Sequence, residues 1–574
     1  MKNQGLLLLA CGALVAGGAR LTPARASGDG FSRFVDDYFD AQFRAQPSSG
    51  TEAGLHQYDA KLEDLSRAAV LARIAELKQL QARLDAIDRK QLSFDDGIDA
   101  QALAGDIRSN LQSLEALRNW ERNPMLYVRV PGNAVDGLMK RNFAPARERL
   151  RSVVARLEAA PAVYAAARAN VQDPPKEFTD LAIRMCKGAA GFFEGSVARW
   201  AKDAAGDDAA LLAEFQKANG VVIRETRALG TWLEKDLLPR SNGRYAIGEA
   251  EFLAKLKYDE MVELPLEALL ARGQAQLEKD HAAFVETARR IDPSKSPAEV
   301  MKSLSDEHPT AEDLLPSVRR SVEAARQFLV EKDVVTIPSE VRPLVEETPP
   351  FARGGSFASM DNPGPFETKA TEAFYYVTPV EKDWDAKHQE EHLRLYNPYV
   401  VPMINVHEVW PGHYLQFLYS KHFKTKTRKL TFCGTNAEGW AHYTEQMMVD
   451  LGFGGGNPKI RLAQLQEALL RDCRYVVGVK LHTKGMTVEQ GAKLFVEMGF
   501  QEPANGYEEA RRGAYNPTYL YYTLGKLEIQ DLAREYLQKK NASLKQFHDA
   551  FVAEGGLPIP LVRQILLRQA AATP

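Results

Sequence analysis

FAPARERLRSVVARLEAAPAVYAAARANV, residues 143–171, carries its apolar side chains at helical spacing. Leu150, Val153, Val154 and Leu157 fall on one face of a 3.6-residue turn. Pro145 suits a first helical turn, where its missing N–H is not needed. Similar amphipathic runs occupy about 67–87, 210–235, 261–288 and 317–332, so the chain is expected to be mainly α. Its 574 residues exceed what one hydrophobic core sustains, and two or more packed lobes are expected. With 45% hydrophobic and 26% charged residues, the composition is that of an ordinary soluble protein and not of a nucleic-acid binder.

The texture changes after Glu331. DVVTIPSEVRPLVEETPPFARGGSFASMDNPGPFETKATEAFYYVTPV, residues 333–380, is rich in Pro, Gly and β-branched residues and predicts strands at Val334–Ile337 and Ala373–Val377. Helical periodicity resumes near Asp385 and continues almost to the end. The expected organisation is a helical N-terminal lobe over 27–330 and a second lobe over 331–574 with a small β element. Such an element can bind an extended peptide along an edge strand or merely cover the helices.

The first 26 residues differ from the rest. MKNQGLLLLACGALVAGG joins an early Lys to an apolar run, and Ala24-Arg25-Ala26 offers a small-x-small cleavage site before Ser27. This predicts a signal peptide and a periplasmic or secreted protein. The run is too short for a membrane span. Leu8-Leu9-Ala10-Cys11 permits an alternative, a lipid anchor at Cys11. Removal of residues 1–26 takes away Lys2, Arg20 and Arg25 and no acid, which moves the formal charge from −3 to −6. Cys186, Cys433 and Cys473 remain, too few for disulfides to define the fold.

Residues 406–413, VHEVWPGH, open like the zinc-protease signature H-E-x-x-H, but the second histidine arrives two positions late. On a straight helix His407 and His413 would point about 120° apart and could not share an ion. Pro411 lacks an N–H and clashes with the carbonyl four residues earlier, and Gly412 tolerates unusual backbone angles. A Pro-Gly bulge would return His413 to the second ligand position. Downstream, TNAEGWAHYTEQMM predicts a helix capped by Asn436, with Glu438, His442 and Glu445 on one face. Two His from one segment and a Glu from a following helix form a three-ligand zinc set with an open position. Glu438 is the expected third ligand, Glu445 the residue orienting a ligand histidine, and His442 a competitor ligand or substrate contact. Glu408 is placed to act as general base.

With these motifs the chain resembles the bacterial domain-of-unknown-function family 885, which is zinc peptidase-like and related to the gluzincins. The resemblance rests on V-H-E-V-W-P-G-H at 406–413 and E-G-W-A-H-Y-T-E at 438–445. It extends to RYVVGVKLH at 474–482, YNPTYLYYTLGK at 515–526, PSSGTEAGLHQYDAKLEDLS near the N-terminus and VEETPPF before the strands. It implies two helical lobes flanking a deep cleft, His407, His413 and Glu438 as ligands, and Glu408 as base. The chain departs from the family's R-x-x-x-D-x-G-x-H, having Gly478 and Lys480 where Asp and Gly are usual. It reads N-P-T-Y-L-Y-Y-T-L-G in place of P-G-Q-A-x-x-Y-x-x-G, keeping Tyr522 and Gly525, and it carries His442 at a usually apolar position.

Arg471, Arg474, Gly478 and His482 form one helical stripe, a candidate for holding a substrate carboxylate and the oxyanion, or else a salt-bridged face with Glu508 or Glu509. Gly478 would leave room there for substrate. Tyr519, Tyr521 and Tyr522 are candidate donors or simply packed aromatics, with Tyr522 the best match to the family pattern. The expected activity is hydrolysis of short peptides by one zinc ion per chain, with Glu408, His482 and Tyr522 catalytic and Arg471, Arg474 and Tyr519 binding substrate. Alternatives are a non-catalytic zinc- or peptide-binding protein on the same fold, or an amidase acting on a non-peptide amide.

Overall fold

A computed structural model describes residues 28–568, apart from 350–352, 354–357 and 382–383. The expected signal peptide lies outside the described residues. The protein is mainly helical, with a single three-stranded sheet among the described residues.

Local chemistry explains the helices. In Gly28–Ala45, Phe31, Phe34, Val35, Tyr38 and Phe39 repeat at i, i+3, i+4, i+7 and i+8, and all are buried. Ser66, Ser93 and Asp208 cap later helices, and Ser296, Thr487 and Ser543 form capping boxes with Glu299, Gln490 and Gln546. The run at 143–171 is the Ala146–Asn170 helix, with Leu150, Val153, Val154 and Leu157 buried. The other expected helices are Arg67–Asp85, Ala209–Trp232, Leu266–Ile291 and Leu314–Lys332. The third starts later than its periodicity suggested, because Pro265 stands at its N-cap and Met261 takes a left-handed φ of 55°.

Apolar side chains gather in three clusters. One joins helices between Phe31 and Ile107, a second those between Met125 and Leu237, and the largest runs from Phe252 to Leu566 with Ile98 and Ala102. The largest therefore includes residues on both sides of position 331. Within it the Leu266–Ile291 helix lies against Pro458–Thr483: Tyr475 fills the space over Gly273, and its hydroxyl donates to the Leu269 carbonyl at 2.9 Å.

The sheet has the order β1 (Leu344–Glu347), β3 (Phe374–Val377), β2 (Ala358–Asp361), with β1 parallel and β2 antiparallel to the central β3. The expected strand at Val334–Ile337 does not form. Val334 and Val335 are buried in the large core, and Thr336 spends its N–H and hydroxyl on the Asp549 carboxylate instead of on a neighbouring strand. No helix among the described residues is long and apolar enough to cross a membrane.

Candidate metal centre

The Val401–Glu408 helix stops just after its histidine and a second helix, His413–Ser420, starts on the other one. Val409 and Trp410 both donate their N–H to the Asn405 carbonyl, at 2.9 and 3.1 Å. Pro411 has none to give, its bond to Trp410 is cis, and Gly412 N returns to the Val406 carbonyl at 3.0 Å. A Cβ on Gly412 would sit 1.7 Å from the His407 carbonyl oxygen, so only glycine lets the chain fold back this tightly. The indole N–H of Trp440 donates to the Pro411 carbonyl at 2.8 Å and ties the loop to the next helix. The insertion is thus a helix stop and restart, a sharper event than a bulge.

The third helix, Gly434–Asp450, is capped at a distance. Its N-cap is Cys433, not Asn436, and the Glu260 carboxylate accepts from Thr435 N at 2.8 Å, Thr435 Oγ1 at 2.7 Å and Cys433 Sγ at 2.8 Å. A carboxylate there answers the positive end of the helix. Asn436 instead donates to the Gly555 and Leu557 carbonyls. One turn on, the helix crosses Tyr521–Lys540 at a glycine pair: a Cβ on Gly439 would be 2.5 Å from the Gly525 Cα. This close approach holds Glu438 and Tyr522 near the same point.

Ligand atoms of His407, His413 and Glu438 all lie within 4.8 Å of one another. Glu438 Oε2 is 3.3 Å from His407 Nε2 and 3.4 Å from His413 Nε2. Ligands about 2.1 Å from a tetrahedral zinc are about 3.4 Å apart, so the spacing of this donor set fits that ion. His407 Nδ1–H donates to Glu445 Oε1 at 2.7 Å, which turns Nε2 toward the other two candidate ligands. Arg471 Nη2 braces the same Glu445 oxygen at 3.3 Å, and His442 Nδ1 lies 3.3 Å from the other.

Burial works against charge on these groups, and the neighbours outweigh it. The Glu438 and Glu445 carboxylates lift His407 to about 9 against the effect of burial. His413 and His407 hold Glu438 well below the usual carboxylate range, and Arg471 does the same for Glu445. His442 is the exception: burial, with Lys526 nearby, lowers it to about 3, so it sits neutral behind Glu445. Its ring faces Glu445 and lies outside the group of His407, His413 and Glu438 donors.

Glu408 is half-buried and its Oε2 accepts from the Met360 N–H of β2 at 3.2 Å. The Tyr375 hydroxyl of β3 donates to Asn405 Oδ1 at 2.8 Å, docking the sheet on the ligand helix. The edge strand thus lies beside the expected base. A cavity of about 270 Å³ is lined by Glu438, Tyr521, Thr518, Phe432, Asp259 and Glu260. It opens the ligand carboxylate to solvent.

The arginine stripe behaves differently. Arg471 is spent on Glu445 and on Glu467, 2.8 Å away, and Arg474 forms a fork with Glu509 at 2.7 and 2.9 Å. Neither is free for a substrate carboxylate: Arg474 takes the expected Glu509, whereas the partners of Arg471 are Glu445 and Glu467 and not Glu508 or Glu509. Tyr519 is fully buried and donates its hydroxyl to Glu509. Gly478 leaves room for Tyr519, whose Cβ would be 3.2 Å from an added methyl, and not for substrate. Nor is His482 at the centre. Eleven residues beyond Arg471 is about 16 Å along a helix, and its Nε2–H donates to the Gly513 carbonyl at 2.9 Å beside Phe252 and Tyr245. Tyr522 remains. Its ring lies 6.4 Å from that of His407, and burial together with Glu438 keeps its phenol protonated as a donor.

Sequence reasoning missed Glu260 and Met360, which lie 178 and 78 residues before Glu438 and carry no local signature. It also missed a buried polar group behind His442, in which Lys526 Nζ stands 3.6 Å from Asp280 and Thr523 donates to Asp472 at 2.7 Å. Nothing but the meeting of three helices brings these together.

The comparisons with known proteins bear on family and fold. A protein of 28% identity from Shewanella oneidensis, described as a "putative lipoprotein of unknown function", superposes with a TM-score of 0.79 over 94% of this chain and 100% of its own. The "putative lipoprotein" of Colwellia psychrerythraea, 18% identical, shares the fold with a TM-score of 0.79 over 94% and 99%. No curated protein matches. Residues 47–566 match the family described as "Bacterial protein of unknown function (DUF885)", and the chain belongs to that family.

Proposed function

We propose that this protein is an exported, zinc-dependent peptidase of short peptides. The observation that carries the reading is the convergence of two imidazoles on a carboxylate that stands from each at the spacing of a tetrahedral site, with Glu408 next in the chain to His407. A purely structural site has no use for an accessible base. Zinc held by His407, His413 and Glu438 would polarise the scissile carbonyl and ease deprotonation of water.

The chain's own groups supply the remaining steps. Glu408 takes the proton of the attacking water and delivers it to the leaving nitrogen. The Tyr522 phenol donates to the oxygen that gains charge, an effect worth about 10²–10³-fold for one such donor. Glu445, braced by Arg471, keeps the His407 ring in its ligand orientation. Strand β2 can align an extended peptide along its edge. Export is supported by the N-terminal apolar run and small-x-small site.

The test compares the wild type with Glu408→Gln by metal analysis and digestion of a peptide library. The expected result is about one zinc per chain in both. Cleavage should occur only with the wild type, stop with chelator and return with zinc. Zinc in both without cleavage by either would favour a binding protein, and absence of zinc from both would overturn the reading.

A further inference from the structure

Three guanidinium groups converge on the Tyr519–Tyr522 pair. Arg474 lies 5.1 Å from the Tyr519 ring and 5.2 Å from the Tyr522 ring, Arg471 is 5.7 Å from Tyr522, and Arg512 is 5.3 Å from Tyr519. Arg471 and Arg474 are neutralised by Glu445, Glu467 and Glu509. Arg512, on the Pro503–Tyr515 helix, is not. Among the described residues its guanidinium has neither a hydrogen bond nor a carboxylate within 4.0 Å. Glu509, the acid whose field it feels, is already held by Arg474 and the Tyr519 hydroxyl.

The guanidinium is half-buried but its nitrogens stay open to solvent, so an incoming anion can reach it. Its surroundings lead to the metal centre, because the Tyr519 ring under Arg512 is joined through Arg474 to Tyr522, whose ring lies 6.4 Å from that of His407. A planar fork above an aromatic floor matches a carboxylate, and the carboxylate that every linear peptide carries is its C-terminus.

We propose that Arg512, the unpaired cation beside Tyr519, anchors the C-terminal carboxylate of the substrate, so that the protein acts from the free C-terminus and not within chains. For turnover this rests on the peptidase reading above; for binding it does not.

The experiment separates the two. Zinc-loaded Glu408→Gln protein is titrated calorimetrically at pH 7.5 with trialanine and with trialanine amide, which differ in the C-terminal charge. The acid should bind about tenfold or more tightly than the amide, the usual scale of one charge-assisted fork. Arg512→Gln should abolish that preference, and Arg512→Lys should keep part of it. Equal binding of acid and amide, failure of both to bind, or a preference that survives Arg512→Gln would overturn the assignment. Where Arg512→Gln does not fold, Arg512→Lys decides: a reduced preference supports the anchor and an unchanged one refutes it. Wild-type digestion then reports on catalysis separately. Equal cleavage of acid and amide would leave a peptidase without this anchor, whereas acid-selective binding without cleavage would leave the anchor without a peptidase.

Discussion

Two helical stripes in this protein present polar residues at spacings that suggest a shared site, and only one delivers it. His407 and His413 lie six residues apart across a broken helix, and their rings are 4.9 Å apart. Arg471 and His482 lie eleven apart on the unbroken Pro458–Thr483 helix and serve different places, one against Glu445 and the other against Gly513. Helical spacing states which face a residue occupies, not where on the molecule it sits. A stop such as Trp410-Pro411-Gly412 folds sequence distance back on itself, while a continuous helix of 26 residues stretches it over about 39 Å.

The strongest way to break this contrast is at Gly412. Gly412→Ala puts a methyl 1.7 Å from the His407 carbonyl and must move one ligand histidine relative to the other. Activity and zinc retention should fall by about 100-fold or more, the effect of roughly 1 Å of misplacement. Gly478→Ala is the control on the unbroken helix. Its methyl meets Tyr519 Cβ at 3.2 Å, which offsets the helix-propensity gain of about 1 kcal/mol, so thermal unfolding should move little and zinc should be retained. Equal zinc loss in both variants would show that the break has no special role.

Glu445→Gln comes next. The amide retains an acceptor for His407 Nδ1–H but loses the charge that Arg471 and the histidine share. Zinc affinity should weaken about 10- to 100-fold in competition with a chromogenic chelator. An unchanged affinity would place Glu445 outside the centre's support.

The smallest effect on activity is expected at His482. His482→Gln should leave zinc content and kcat within about twofold, since the ring serves the Gly513 carbonyl. A large fall in kcat would restore His482 to the catalytic set. Stability at pH 7.5 should drop by about 1–3 kcal/mol with the loss of a buried hydrogen bond. That gap has a pH signature. Burial lowers His482 from 6.5 to about 4, so its contribution is complete above pH 6.5 and is lost as pH falls toward 4. Chemical denaturation should therefore find wild type and variant converging across that window.

The outcome at each motif follows from how local its physics is. VHEVWPGH held part of its own explanation: Pro411 and Gly412 permit the chain to turn after His407, but Pro131-Gly132 sits inside the unbroken Met125–Met139 helix, so the pair alone does not force a stop. Glu438 and Glu445 were legible as one face of a helix. The pairing of Arg471 and Arg474 with carboxylates was legible only as an alternative, because a stripe of charge looks the same whether its partners are substrate or protein. The strand expected at Val334–Ile337 failed for a related reason. Its β-branched residues fit any extended buried path, and the ladder partner that would make it a strand is absent there.

Determined by the sequence alone were the helical class and the face carrying Glu438, because each depends on neighbours within a turn or two of the chain, whereas at Pro411-Gly412 the sequence announced an interruption but not a full helix stop. The tertiary structure alone decided that Glu260 would hold the N-terminus of the Glu438 helix, that Gly439 and Gly525 would cross in contact, and that Arg512 rather than Arg471 or Arg474 would be left without a counter-charge. Those outcomes depend on which distant groups reach a given charge first, and that competition is settled only when the helices pack.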